Sequence, residues 1–551
     1  MKHPFTLLPM TLFVSACMPA LAQQLPDAGT LLQENARTLP QPANRAAHPL
    51  RVVPALQPAA QAPGGVHITL QRITIAGNTQ IPSAELLTDL GPITGKTYDF
   101  AGLSALAARI TSCYQQAGYP FARAYLPQQD LSAGELRIEI LEGHFGLVQA
   151  TGDKTFTSGA QGFLSALPKG GLIEAHMLER TTLLLNDQPG VVTAPLMRPG
   201  EEVGTGDLIV DVQRDHRYKG EAGIDNFGTL ATGRARLHAS LDADSLFMLG
   251  DQLSVQALYT DAHMWFGSVA YAAPISYSGL RGRASYTHSF YELAGNFAAL
   301  GARGTADVAS LGMSYPIVRS QSHNLIVSAS VDHKSLHDHQ AATSSSSDKG
   351  SMVVPVNVSF DQRDQFIYAG ITYGAISWVH GHLGLDSASE AMDSASAHTA
   401  GAFSKLNVDL ARVQSINRKL DLYGHLSVQR AANNLDPSEK LGLGGVNGVR
   451  AYPNGEAYGD NGWLAQAEVR YAIGTAVPFV FYDIGRIDIS KSAWTTTSNR
   501  RTLAGSGVGV RFTDAAWTGG ITLAWSTQGG ASQSEPSTHT PTLLANLTYR
   551  F

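Results

Sequence analysis

Apolar residues alternate with small or polar residues from Lys219 to the end of the chain. Segments of about ten residues place an apolar side chain at every second position, which is the spacing of a strand with two unlike faces. Clear examples are Ala235, Leu237, Ala239 and Leu241, then Leu253, Val255, Ala257 and Tyr259, and then Val354, Val356, Val358 and Phe360. Segments of this kind are typical of strands that cross an outer membrane, with one face toward lipid and the other toward water.

We count about sixteen such segments in residues 216–551, and the connections between them alternate in length. If the segments are numbered from Gly220, the connections after even-numbered segments are tight, near 277–278, 319–321, 416–418 and 474–475. Those after odd-numbered segments include long ones, at about 339–350, 387–401, 436–460 and 527–538. Outer-membrane barrels alternate short periplasmic turns with longer external loops, whereas a soluble β-sandwich gives no reason for this alternation. The pattern predicts a mainly β protein with a 16-stranded transmembrane antiparallel β-barrel over 216–551.

Two stretches ahead of the barrel combine strand and helix periodicity. Residues 66–143 contain a strand, two helices and two further strands, and residues 144–215 repeat this order more faintly. The longer helix of the first stretch has its apolar residues at helical spacing, namely Leu103, Leu106, Ile110 and Tyr114. The repeated order predicts two duplicated α+β domains, 66–143 and 144–215.

The first 65 residues predict three segments. Residues 1–22 have a basic start, an apolar stretch and a small-x-small site ending at Ala22, as in a secretory signal; the alternative is a lipid anchor at Cys17. Residues 23–38 contain a helix for which Asp27 is a suitable N-cap. Residues 39–65 are rich in proline, which favours extended, poorly packed chain. After the signal, no stretch of about 18 apolar residues occurs, so no transmembrane helix is predicted.

Composition and motifs exclude several other classes of function. The formal net charge is -6 and no strongly basic stretch occurs, so a nucleic-acid partner is not expected. No metalloprotease, nucleophile-elbow or phosphate-loop motif is present, so we expect no enzymatic activity, no cofactor and no metal. One histidine cluster could bind a metal by spacing alone, but its position near a loop favours solvated side chains: His333, His337 and His339, with Asp338.

Several local motifs give the chain a family resemblance. Residues 115–120 and 126–134 resemble the first POTRA domain of the transporters of two-partner secretion systems, and 225–233 resemble their first barrel strand and loop. Two motifs are more specific. The longest predicted external loop carries Val449, Arg450, Ala451 and Tyr452, where the family has Val-Arg-Gly-Tyr or Phe. The thirteenth predicted strand carries Phe481, Asp483 and Gly485, which fit the family's Phe-x-Asp-x-Gly.

The resemblance implies a function and a set of partners. Members of this family have periplasmic POTRA domains ahead of a 16-stranded barrel and a helix that can plug the pore, which implies that residues 23–38 form a plug helix. The implied function is export of a large secreted partner protein, haemolysin- or adhesin-like, across the bacterial outer membrane. Outer-membrane lipid and the barrel-assembly machinery are the other implied partners. The alternatives are an assembly factor of the same superfamily and, from a different class, a passive porin.

The two specific motifs also predict a contact. Phe481, Asp483 and Gly485 share one face of a strand, which must be the lumen because a carboxylate facing lipid is costly. A long loop folded inward would bring Arg450 to Asp483, where a guanidinium–carboxylate pair would hold the loop tip. Gly485 would leave room for the loop backbone. Ala451 departs from the family's glycine and would add strain of roughly 1 kcal/mol if the position needs a positive φ.

Overall fold

The computed structural model of the chain describes residues 26–36, 41–42, 50–53, 64–535 and 540–551. The predicted signal, residues 1–22, lies outside the described residues, and so does most of the predicted linker, residues 39–65. A short helix, α1 (Ala28–Ala36), and a two-residue strand, β1 (Arg51–Val52), come first. Two α+β domains and a closed barrel follow.

The first α+β domain packs two helices on a three-stranded sheet. Its elements are β2 (Ile68–Thr69), β3 (Arg72–Ala76), α2 (Ser83–Leu90), β4 (Thr97–Tyr98), α3 (Phe100–Gln116), β5 (Arg123–Tyr125) and β6 (Glu135–Leu141). The predicted apolar stripe of α3 is buried in the core of the domain. Strand β6 lies in the centre of the sheet, parallel to β3 and antiparallel to β5.

Glu142 ties the end of β6 to the rest of the first domain. Its buried carboxylate accepts hydrogen bonds from the backbone N–H groups of Thr79 (2.6 Å) and Gln80 (2.8 Å) and from the Tyr114 hydroxyl (2.8 Å). Burial opposes ionisation, but these hydrogen bonds outweigh it and hold the pKa of Glu142 below its ordinary value. The exit of the chain from the first domain is therefore fixed by a buried ionised group.

The second α+β domain repeats the arrangement of the first. It contains β7 (His144–Gly152), α4 (Lys154–Leu164), α5 (Ala175–Asn186), β8 (Val191–Pro199) and β9 (Thr205–Arg214). The central strand β9 is parallel to β7 and antiparallel to β8, as β6 is to β3 and β5. One feature is new, because β1 from the proline-rich segment adds a fourth strand parallel to β8.

Sixteen antiparallel strands form the closed barrel, which confirms the predicted fold class. They are β10 (Tyr218–Asp225), β11 (Arg236–Asp244), β12 (Gln252–Thr260), β13 (Trp265–Pro274), β14 (Arg281–Glu292), β15 (Ala302–Arg319), β16 (His323–Gln340), β17 (Ser345–Asp364), β18 (Gly370–Leu385), β19 (Gly401–Ser415), β20 (Leu420–Ala431), β23 (Asn461–Tyr471), β24 (Ala476–Asp488), β25 (Arg500–Asp514), β26 (Trp517–Gln528) and β27 (Thr542–Arg550). Two short strands, β21 (Leu441–Gly442) and β22 (Tyr458–Gly459), pair within one connection. Pairing of β10 with β27 closes the ring.

Three of the four predicted long connections are present, and one is not. The predicted long loop at 339–350 is wrong, because β16 continues to Gln340 and β17 begins at Ser345, leaving a four-residue turn. Its serine-rich sequence is taken up by strands that pair with each other instead of forming a loop. The long connection at 386–400 contains a helix, α6 (Ser387–Ser394). Among the described helices, none has the length and apolar content needed to cross a membrane.

The tight turns of the barrel lie against the second α+β domain. Arg180 on α5 donates to the carbonyl oxygen of Pro316 (2.8 Å), and the backbone N–H of Gln321 donates to Glu179 (2.9 Å). Arg319 makes a bidentate pair with Asp187 (2.6 and 2.7 Å). The second domain therefore sits beside the end of the barrel that carries the short turns, opposite the long loops.

Candidate functional site

The connection between β20 and β23, residues 432–460, folds inward and is called the pore loop below. It includes a 3-10 helix at Pro437–Glu439 and the small sheet of β21 and β22. Its tip is compact, because two backbone hydrogen bonds close it. The N–H of Val449 donates to the carbonyl oxygen of Leu443 (2.6 Å), and the N–H of Tyr452 donates to the carbonyl oxygen of Val449 (3.0 Å). Val449, Ala451 and Tyr452 are buried in one apolar cluster with residues of the barrel wall.

Arg450 at the loop tip contacts Asp483 on the inner wall of β24. Its guanidinium makes a bidentate pair, with Nε 2.8 Å and Nη2 2.7 Å from the two carboxylate oxygens. The backbone N–H of Arg450 also donates to Asp483 (3.1 Å). Both residues are buried, so the charges compensate each other inside the protein. Charge-assisted bidentate bonds of this kind fix geometry as well as adding energy.

Glu468 on β23 is a further acidic partner that the motifs do not indicate. Its carboxylate lies 2.5 Å from Nη1 of Arg450, 2.7 Å from Nε of Arg470 and 2.9 Å from both Nη atoms of Arg511. Three arginines thus share two buried carboxylates, Glu468 and Asp483. The only sequence signal was the position of Glu468 on a lumen-facing register, which many polar residues share.

Aromatic rings and glycines form the surface beneath Arg450. The guanidinium carbon lies 3.7 Å from the centre of the Phe481 ring, close enough for a cation–π contact. Gly505 and Gly507 lie opposite Asp483 and Phe481 on the neighbouring strand β25. A methyl group at Gly505 would come 2.5 Å from Cβ of Ala451, and one at Gly507 would come 2.5 Å from the Phe481 ring. Gly505 therefore makes room for the loop tip, and Gly507 makes room for the Phe481 ring on which Arg450 lies.

The structure decides two details of the predicted contact: the condition for strain at Ala451 is not met, and the predicted role of Gly485 is wrong. Ala451 is not among the residues with a positive φ, so alanine adds no backbone strain at this position. A Cβ on Gly485 would meet the Leu443 side chain at 2.7 Å, so Gly485 makes room for a loop side chain and not for the loop backbone. The close approach at the motif tip takes place at Gly505 instead.

Helix α1 lies in the lumen beside the pore loop. Asp27 caps it by accepting from the backbone N–H of Thr30 (2.8 Å), as predicted. Its buried side chains pack against residues near the outer ends of β14, β15 and β16: Ala28, Leu31 and Leu32 meet Tyr291, Ala302, Ala306 and Leu336. The backbone N–H of Ala28 donates to Asp338 on β16 (2.9 Å). In this position α1 occupies part of the lumen.

Polar contacts join α1 to the pore loop. Gln33 donates to the carbonyl oxygen of Lys440 (3.2 Å), and the Tyr458 hydroxyl donates to Glu34 (2.5 Å). Lys349 on β17 lies 3.2 Å from the Asp27 carboxylate and 2.9 Å from that of Asp436, so one cation bridges the helix and the base of the loop. The helix, the loop and the wall are thus in contact as a single lumenal assembly.

The histidine cluster does not converge on one point. Asp338 points into the lumen toward α1, whereas His337 pairs with Asp348 (2.7 Å) in a solvent-exposed contact. Adjacent residues of a strand face opposite sides, which explains the separation. Within the described ranges, no group of three or more His, Cys, Asp or Glu side chains is placed to hold a metal ion.

The barrel lumen contains a loop fixed to the wall by Arg450 and Asp483, and α+β domains lie beside the short turns. This architecture is that of an outer-membrane protein transporter. Comparison with known families agrees: haemolysin secretion/activation protein ShlB/FhaC/HecB matches residues 204–512, and POTRA domain, ShlB-type, matches residues 68–143. The chain belongs to this haemolysin secretion/activation family. It is an outer-membrane transporter that exports a secreted partner protein, with its N-terminal domains in the periplasm. The match favours this function over an assembly factor or a porin.

Individual relatives resemble the chain over most of its length. The heme/hemopexin transporter protein HuxB of Haemophilus influenzae (strain 86-028NP) is 27% identical over 518 residues, covering 91% of each chain. The outer membrane transporter CdiB of Escherichia coli O6:K15:H31 (strain 536 / UPEC) is 22% identical over 508 residues, covering 86% of this chain and 82% of that one. A solved structure of CdiB from Escherichia coli shares the fold with a TM-score of 0.72 at 19% identity, over 91% and 93% of the two chains.

The glycines beneath the loop tip provide a test of its position. Gly505→Ala is expected to lower secretion several-fold, because the added methyl would overlap Ala451, and overpacking of this kind costs about 1–3 kcal/mol. Gly424→Ala is the matched control, since a methyl there meets nothing within 4 Å on the barrel strand β20. Secretion is measured as partner protein in the medium at equal amounts of inserted barrel. Equal secretion by the two variants would contradict the packed loop tip.

Proposed function

We propose that the partner protein is received as an extended strand at the β8 edge of the second domain and then passes through the lumen. The observation that carries this proposal is the pairing of β1 with β8. Arg51 and Val52 lie opposite Leu196 and Met197, and the backbone N–H of Val53 donates to Met197 (2.8 Å). Strand addition of this kind gives affinity through backbone hydrogen bonds and specificity through alternate side chains. An edge that binds one extended segment is chemically suited to bind another.

The groove beside this edge supports the proposal. It has a volume of about 360 Å³ and lies between β8 and α5. Its lining is largely apolar and comes from the linker, both α+β domains and a barrel turn: Leu50, Val52, Pro120, Phe121, Leu178, Leu183, Pro195 and Gln321 are among the lining residues. Leu50 and Val52 are two residues apart and both line the groove, so an extended segment with alternating apolar residues would match it.

In the resting transporter, strand β1 of the linker therefore occupies the β8 edge at which the partner protein would bind. Binding of the partner would displace residues 50–53, which lie between α1 and the first domain along the chain. Displacement would free the linker and allow α1 to leave the lumen. Receipt of the partner and unplugging of the pore are in this way linked through one segment.

Val53→Pro is expected to raise the affinity of the β8 edge for an added strand about fivefold. Proline lacks the N–H that Val53 donates to Met197, and one such bond is worth about 1 kcal/mol. The probe is a fluorescent peptide with the sequence of residues 48–55, and the measurement is its anisotropy with the full-length protein in detergent. The tethered strand competes less in the variant, so the free peptide binds more tightly.

Val53→Ala is the matched control, because the Val53 side chain is exposed and alanine keeps the N–H. It should bind the peptide as the wild type does. A peptide carrying proline at the position of Val53 should bind more weakly to every form of the protein. Equal affinity of the Val53→Pro and Val53→Ala proteins would contradict competition at this edge.

We propose further that Arg450, Asp483 and Glu468 hold the pore loop in its resting position and that α1 acts as the plug. Transport in this proposal involves no catalytic step and no cofactor. Folding of the partner outside the cell would supply the driving force.

The barrel would contact outer-membrane lipid with its exposed apolar face and would be inserted by the barrel-assembly machinery. Residues 1–22 would direct export from the cytoplasm.

A further inference from the structure

The last external connection, between β26 and β27, binds the pore loop from above. Its described residues 529–535, called the strap below, surround the carboxylate of Glu456 in the pore loop. The backbone N–H groups of Gln533 (2.9 Å) and Ser534 (3.0 Å) donate to it. The hydroxyls of Ser532 (2.6 Å) and Ser534 (2.7 Å) donate as well. Glu456 is thus held by four donors of one short segment.

Glu456 also has a partner on the barrel wall. Arg501 on β25 pairs with the same carboxylate, whose side chain is fully buried. A buried carboxylate that loses its donors pays a large desolvation cost, so this contact resists opening. The pore loop is therefore held at Glu456 as well as at Arg450: Arg450 reaches the inner wall, and Glu456 reaches the strap.

The other end of the strap is bound to the first external connection, residues 226–235. The Glu535 carboxylate accepts from the backbone N–H of Leu230 (2.6 Å) and pairs with Arg234, and its side chain is buried. In addition, Asn454 of the pore loop donates to the carbonyl oxygen of Phe227 (2.8 Å). Three external connections are thus joined to one another at the outer mouth of the barrel.

The strap also crosses the place where the barrel closes on itself. Strands β10 and β27 pair only over Glu221–Asp225 and Asn546–Arg550, a short ladder for this barrel. Beyond the outer end of this ladder, the side-chain amide of Asn226 continues the pairing. It donates to the carbonyl oxygen of Leu543 (2.9 Å) and accepts from the backbone N–H of Ala545 (2.8 Å). The strap belongs to the connection on the β27 side of this seam and binds the connection on the β10 side through Glu535, so it holds the mouth and the seam together.

We propose that Glu456 and Glu535 make the strap an outer latch, which keeps the pore loop closed until the partner protein arrives. Glu456 is the positioning residue of the latch, since it acts through the strap and the loop and not on the partner protein. The latch rests on the proposed function in one respect only, namely that the pore loop moves during transport. Its test needs no partner protein, so failure of the β8 receptor proposal would leave the result readable.

The test measures ion conductance of the full-length protein in planar phosphatidylcholine bilayers. Glu456→Ala is expected to raise the frequency of open-channel events about tenfold, because the strap loses the acceptor for four donors. The double variant Ser532→Ala/Ser534→Ala removes only the two hydroxyl donors and should raise it less. Glu535→Ala should also raise it, by freeing the other end of the strap.

Asp488→Ala is the matched control, because it removes a carboxylate from an exposed ion pair with Arg500 on the wall strand. It should conduct as the wild type does. Heat-dependent mobility in gels reports whether each barrel has folded. A folded Glu456→Ala protein with wild-type conductance would overturn the latch. If that variant does not fold, wild-type conductance of the double serine variant would overturn it equally.

Discussion

Arg450→Ala is expected to lower secretion of the partner protein at least about tenfold while the barrel still inserts in the membrane. The substitution leaves the buried carboxylate of Asp483 without the guanidinium that neutralises it, whereas Glu468 keeps Arg470 and Arg511. Breaking a buried pair in this way costs about 3–5 kcal/mol, which is enough to remove the loop tip from its position. Secretion is measured as partner protein in the medium, and insertion as barrel recovered from outer membranes.

The pairing can be separated from a general effect of lost charge. Asp483→Ala should resemble Arg450→Ala, and the double variant should be no worse than either single variant, because the residues act together. Arg500→Ala is the control, since it removes an arginine from an exposed ion pair of the kind that contributes little. Wild-type secretion by Arg450→Ala would show that the pairing of Arg450 with Asp483 is dispensable. Additive losses in the double variant would show that the two residues act separately.

The double variant Gly29→Cys/Ser438→Cys is expected to block secretion when oxidised and to restore it when reduced. A Cβ built on Gly29 lies 3.1 Å from Cβ of Ser438, so a small shift reaches the roughly 3.8 Å of a disulfide. The bond would tie α1 to the base of the pore loop and keep the helix in the lumen. The variant is made with Cys113→Ser, because Cys113 is a free thiol.

Each single cysteine variant serves as a control for the packing changes. Both should secrete about equally in oxidising and reducing medium, because neither can form the bond. Full secretion by the oxidised double variant, with the disulfide confirmed by mass spectrometry, would show that α1 can stay in the lumen during transport. In that case the helix would be a structural part of the barrel and not a plug.

Local periodicity was sufficient to predict the barrel, because each membrane strand must present one apolar face regardless of its neighbours. Composition alone was a weaker guide to loops. The serines at 344–347 suggested a long loop, yet they lie in or beside strands that extend past the apolar band. A polar strand outside the membrane and a polar loop have the same composition, so only pairing with a neighbour distinguishes them.

The contact between Arg450 and Asp483 was predictable because two short motifs mark its ends. Glu468 and Gly505 were missed, since they meet the two motifs across strands, opposite Phe481 and Asp483, and the register between neighbouring strands is not written in any short motif. Strand β1 was missed for a different reason. The proline-rich composition around it indicates extended chain, and an extended chain forms a strand only where a sheet edge is available. Long-range partners of this kind leave no local signal.

Export of a secreted partner by this protein can be measured by comparing culture media of cells with and without the protein. The gene is deleted and then supplied again as wild type or as Arg450→Ala. We expect one large protein to disappear from the medium, to return with the wild type and to remain absent or scarce with Arg450→Ala, while other outer-membrane proteins stay at normal levels. An unchanged medium, or a general loss of outer-membrane barrels, would contradict the account.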